Sequence, residues 1–108
     1  MEKKDKAYCG DALAQLIIGE LKPKSTMTKV NYSVYNQYLS NSAMAQAYCF
    51  IFEYGYNHNS SRDSIHRLAT EYEALLYDVF KRLGYEATIE FFVKTLVDRV
   101  DAGQITFL

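Results

Sequence analysis

Ala7-Tyr8-Cys9-Gly10-Asp11-Ala12-Leu13 is the stretch whose reading decides the fold. Apolar and small residues recur in it at the three- and four-residue steps of a helix, and one carboxylate, Asp11, stands within the stripe. A second acid, Glu73, stands in the same position within Leu68-Ala69-Thr70-Glu71-Tyr72-Glu73-Ala74-Leu75-Leu76. Two helices, each with an acid in its apolar surface, are the frame from which the rest of the chain is read.

Outward from Asp11, the spacing predicts a helix from about Lys6 to Leu21, stopped by Lys22-Pro23-Lys24-Ser25. Tyr8, Asp11, Ala12, Gln15, Ile18 and Gly19 share one side, and Cys9, Leu13, Leu16, Ile17 and Leu21 extend the apolar surface almost all round, which predicts a central helix. Thr26 or Thr28 is expected to cap a second helix through about Leu39, and Ser40-Asn41 a third that ends near Gly55. The polar segment Gly55-Tyr56-Asn57-His58-Asn59-Ser60-Ser61-Arg62-Asp63 is a loop. Ser64 is expected to cap a fourth helix with the stripe Leu68, Tyr72, Leu75, Leu76, Val79 and Leu83, stopped by Gly84. A last helix follows from about Glu86, with Ile89, Phe92, Val93, Leu96 and Val100 on its apolar side, before a short tail from Gln104 to Leu108. No segment alternates with the period of a strand, so the fold class is all-α.

With 108 residues, 49% of them hydrophobic, the chain is expected to form one domain over residues 1–108. It has no apolar run of membrane-spanning length and no secretory signal, which predicts a cytoplasmic protein without a membrane partner. Cys9 and Cys49 lack ligand spacing and are expected to be reduced, packed thiols. A formal net charge of -1 provides no general attraction for nucleic acid, so RNA binding would depend on local basic groups. Ten Tyr and six Phe supply packing area for a core and a subunit interface.

A carboxylate in an apolar stripe must be paired, protonated or bound to a cation. For Asp11 the alternatives are a Lys or Arg partner, a helix N-terminus or a metal ion; Glu73 lies at the flank of its stripe, within reach of solvent. Taken together, the two acids suit Mg²⁺, which uses one or two carboxylates and keeps several waters. There is no Gly-rich phosphate loop, HExxH pattern or serine nucleophile elbow.

Tyr8-Cys9-Gly10-Asp11-Ala12 resembles the end of the ribonuclease III signature, and Thr70-Glu71-Tyr72-Glu73-Ala74-Leu75-Leu76 is similar to that family's second catalytic segment. Met27-Thr28-Lys29-Val30 through Leu39-Ser40-Asn41-Ser42-Ala43-Met44-Ala45 resembles the helices between them, so the likeness spans nearly the whole chain in register. Full-length family members carry a Glu where this chain has Ala7 and an Asp where it has Thr70. The mini-ribonuclease III branch shares both departures, and the chain resembles that branch most. Tyr77 stands where the family often has Gly, a change at a close helix approach.

The resemblance implies a ribonuclease III-like helical endonuclease domain that forms a homodimer and has no separate double-stranded RNA-binding domain. It implies cleavage of double-stranded or structured RNA with Mg²⁺, or Mn²⁺ in its place, held by Asp11 and Glu73 as the catalytic acids. The donors Asn57, His58, Asn59, Arg62, His66 and Arg67 are the candidates for RNA contacts. Lys3, Lys4, Lys6, Lys22 and Lys24 read as solvated charges. A different class remains open: a catalytically silent module of the same fold that dimerises and binds RNA or a protein partner.

Overall fold

The computed structural model describes residues 1–21 and 36–106, and among the described residues every regular element is helical. Helix α1 is Lys3–Leu21, α2 is Asn41–Ile51, α3 is Arg62–Leu83 and α4 is Tyr85–Phe92; α4 runs on through a π-helical segment, Val93–Val97, into the short α5, Asp98–Asp101. Most of the expected second helix lies outside the described residues. None of the helices is long and apolar enough to cross a membrane, among the described residues.

Capping chemistry accounts for the boundaries and corrects two of them. Ser40 caps α2 as expected, its Oγ accepting the Ala43 N–H at 3.1 Å. The helix then stops well short of Gly55. Glu53 takes φ 58, the Glu53 N–H reaches the Phe50 carbonyl at 3.4 Å, and the Tyr54 N–H reaches the Cys49 carbonyl at 2.9 Å. These paired bonds form a Schellman stop with a glutamate in the place usually held by glycine. The cap of α3 is Ser61, not Ser64: the Ser61 Oγ accepts the Ser64 N–H at 3.2 Å, so the helix starts earlier and the polar loop is shorter. Gly84, at φ 90, ends α3 as the sequence predicts.

Helix α3 packs against α1, α2 and α4, which makes it the hub of the domain. Ala14, Ile17 and Ile18 of α1, Met44 and Ala47 of α2, and Ala69, Tyr72 and Leu76 of α3 meet Phe92, Leu96 and Val97 in one core. Burying each large apolar side chain there is worth about 1.5–3 kcal/mol. Tyr72, fully buried, has its hydroxyl 2.7 Å from the Thr95 Oγ1, which itself donates to the Phe91 carbonyl at 2.7 Å. The single Thr95 proton is thereby used, so Tyr72 is the donor of the pair. The tail also packs: Ile105 is buried, and the Gln46 side chain both donates to the Thr106 carbonyl at 2.7 Å and accepts the Thr106 N–H at 3.1 Å.

The nearly continuous apolar circumference of α1 is not buried all round. Tyr8, Leu16 and Leu21 are exposed, because only the Ala7, Gly10, Ala14, Ile17 and Ile18 side of the helix faces the core. Apolar periodicity marks every residue that can be buried, but α1 has neighbours on one side only among the described residues. Both cysteines are free thiols, Cys49 buried and Cys9 partly so.

Helices α1 and α3 make backbone contact at Gly10. A Cβ there would lie 1.8 Å from the Glu73 carbonyl oxygen and 2.5 Å from its carbon. Neither atom can swing aside, so any side chain forces the helices apart. Gly10→Ala is expected to cost at least about 2–3 kcal/mol, the upper part of the range for overpacking, seen as a fall in the thermal midpoint by circular dichroism. Glu53→Gly is expected to act the other way, adding about 1 kcal/mol by relieving a left-handed backbone; the same melting experiment measures it.

Candidate functional site

The Gly10 contact fixes what stands beside it. Asp11 follows the glycine on α1, Glu73 supplies the carbonyl on α3, and their carboxyl groups are close enough to influence one another. Helix periodicity thus points both acids into the seam between the helices. One turn further along α1, the Gln15 Nε2 donates to the Asp11 Oδ2 at 2.9 Å and holds that carboxylate from its other side. Glu73 is half-buried.

Burial pushes the Glu73 carboxyl up, and the charge of Asp11 and the hydrogen bond to it push the same way, to about 8. With its carboxyl pushed up to about 8, Glu73 carries its proton at neutral pH. This is how the metal-free site satisfies two acids that the sequence places in apolar stripes. No lysine or arginine forms an ion pair with either, among the described residues.

The pair opens onto a cleft of about 250 Å³ lined by Lys4, Ala7, Tyr8, Asp11, His66, Thr70 and Glu73. Ala7 and Thr70, where the ribonuclease III pattern has two further acids, both border it, and the Thr70 hydroxyl turns back to the His66 carbonyl at 2.9 Å. The cleft thus offers two carboxylates and not four. Among the described residues no group of three or more His, Cys, Asp or Glu side chains is placed to hold a metal. A four-ligand zinc site does not fit this donor set. Two carboxylates facing an open cleft do fit Mg²⁺ or Mn²⁺, which complete their shells with water.

The remaining candidate residues divide. His66 lines the acid cleft, and Arg67 lines an adjoining one of about 510 Å³ that shares Lys4, His66 and Thr70 with it. Asn57, His58, Asn59 and Arg62 line neither. His58 packs edge-on against Tyr56, 4.8 Å between ring centroids, in a separate cavity of about 190 Å³ beside Cys49 and Tyr54. The Asn57 Oδ1 accepts the Asn59 N–H at 2.8 Å, a turn-forming bond within the loop.

Two participants were missed by sequence reasoning, Lys4 and Gln15. Gln15 was visible as the residue one turn after Asp11 on the same face. Of the lysines taken for solvated charges, Lys3 pairs with Glu71 and Lys6 with Asp78 at 3.1 Å, while Lys4 enters the cleft without an ion-pair partner among the described residues.

The chain was compared with protein-family descriptions, with curated proteins and with solved structures, and it matches none of them.

A carboxyl whose pKa is raised on folding binds more protons in the folded state than in the unfolded one over the interval between its two values. Stability of the metal-free protein is therefore expected to fall as pH rises from about 4.5 through about 8, and Glu73→Gln to remove that part of the slope. Denaturant unfolding across this range measures it, and carboxyl ¹³C resonances should place the Glu73 titration near its upper end.

Proposed function

We propose that this chain is a divalent-cation-dependent endoribonuclease of ribonuclease III type, acting on double-stranded or structured RNA. The observation that carries the reading is the convergence of Asp11 and Glu73, 62 residues apart in sequence, as a carboxyl pair on the wall of an open cleft. Like charges this close are costly in a half-buried site, and a proton or a cation relieves the cost. The order Tyr8-Cys9-Gly10-Asp11-Ala12 and then Thr70-Glu71-Tyr72-Glu73-Ala74, with the glycine at the helix contact, supports the family assignment.

In this reading Asp11 and Glu73 would hold Mg²⁺ or Mn²⁺, which when bound supplies an activated water and neutralises charge on the phosphoryl oxygens. Glu73 would give up its proton to hold the cation, and Gln15, donating to the Asp11 Oδ2, would keep Asp11 oriented as a ligand. Lys4, His66 and Arg67 offer positive or donor groups along the path of an RNA backbone. The exposed apolar stripe Tyr8, Ala12 and Leu16 on α1 runs beside the cleft and supports a homodimer that places two such sites on one duplex.

One observation favours a second reading: with Ala7 and Thr70 at the cleft, only half of the larger family's acid set is present. On that reading the module is silent in catalysis and binds RNA or a protein partner as a dimer. Incubation of the purified protein with a long RNA duplex and Mg²⁺, beside a single-stranded control, separates the two. The nuclease reading expects cuts in the duplex that chelation abolishes and that Asp11→Asn or Glu73→Gln reduces by roughly 10²–10³-fold or more. An intact duplex under all conditions, with no cation binding that depends on Asp11, leaves the silent module.

A further inference from the structure

The cleft has two poles, and only the acidic one is explained by the carboxyl pair. Lys4 precedes Asp11 by seven residues on α1, and His66 precedes Glu73 by seven on α3. Two turns of helix separate the members of each pair, about 10 Å at 1.5 Å per residue. Because all four side chains line one cleft, the helices act as matched rails, with acids facing one another at one end and Lys4 and His66 at the other. Ala7 and Thr70, small and uncharged, occupy the rail positions between the poles.

The cationic pole is left free by the ion pairs around it. Lys3 is held by Glu71 and Lys6 by Asp78, while neither Lys4 nor Arg67 forms an ion pair among the described residues. Arg67 lies just beyond, in the adjoining cleft that shares Lys4 and His66 and has Asp63 on its rim. Exposed Lys4 provides a compact charge and His66 a ring donor, which together suit the non-bridging oxygens of a phosphate group.

We propose that Lys4 and His66 form a phosphate subsite, seated about two helical turns from the carboxyl pair, that holds a phosphate of the RNA backbone flanking the one to be cut. The ligand class, a phosphate ester within RNA, rests on the nuclease reading; the subsite itself is a feature of the two rails. It sets the direction in which a strand crosses the cleft, and its charge draws the backbone towards a pole that would repel it in the absence of a cation. Lys4 is here a substrate-binding residue, and Arg67 extends the track outward.

The test uses the full chain without metal, its backbone and histidine ring signals assigned by NMR, titrated with inorganic phosphate and, in parallel, with chloride at matched ionic strength. Phosphate is expected to shift the signals of Lys4, His66 and Thr70, and Lys4→Gln to abolish those shifts; Lys81→Gln, at the exposed far end of α3, should leave them in place. Lys4 is exposed and forms no ion pair among the described residues, so the variant should melt with the parent. In RNA duplex binding, Lys4→Gln is expected to lower the slope of log affinity against log salt by about one. Phosphate shifts that are absent, or that survive Lys4→Gln, overturn the subsite. If the parent also cuts RNA, the nuclease reading outlives that failure. Phosphate shifts lost in Lys4→Gln in a protein that cuts no RNA uphold the subsite and remove the nuclease reading instead.

Discussion

The approach of α1 to α3 at Gly10 is the constraint on which the other features depend. With the Glu73 carbonyl oxygen where a Cβ would otherwise stand, the two helices touch backbone to backbone, closer than helices separated by side chains. That contact fixes the register of α1 on the hub helix, and with it the pairing of Lys3 with Glu71, of Lys6 with Asp78 and of Asp11 with Glu73. Packing and chemistry therefore share a residue. A change at Gly10 that separated the helices would part the carboxyls as well.

Much of this arrangement was legible in the sequence because it follows from short-range rules. Apolar spacing located α1, α2, α3 and the last helix, Ser40 and Gly84 marked a start and a stop, and the acids in the stripes of α1 and α3 are the two that the fold brings together. Rules of the same range misplaced two boundaries. Serines stand at both Ser61 and Ser64, and either is chemically able to cap; the structure uses the first. Gly55 looks like a helix stop, but Glu53 takes the left-handed position two residues earlier, where residue type alone argues against it.

What was not legible depends on contacts between segments distant in the chain. Three lysines within four residues look alike until a second helix is set against them; then two meet carboxylates and one meets an open cleft. The exposed face of α1 has the same cause, since an apolar residue declares that it can be buried and not that a neighbour exists to cover it. The loop donors Asn57, His58 and Asn59 were grouped with His66 and Arg67 by proximity in sequence, but none of the three lines the clefts that His66 and Arg67 line, and His58 borders a separate cavity.

The raised carboxyl of Glu73 beside Asp11 would change what it means for a cation to enter the cleft. A pair holding one proton carries a single negative charge, so a divalent cation that displaces the proton alters the local charge by one and not by two. Occupation would then be an exchange and not an addition: a cation held there would compete with the proton, and its apparent affinity would rise with pH until Glu73 is already ionised. The same two carboxyls that would bind the ion also meter its entry.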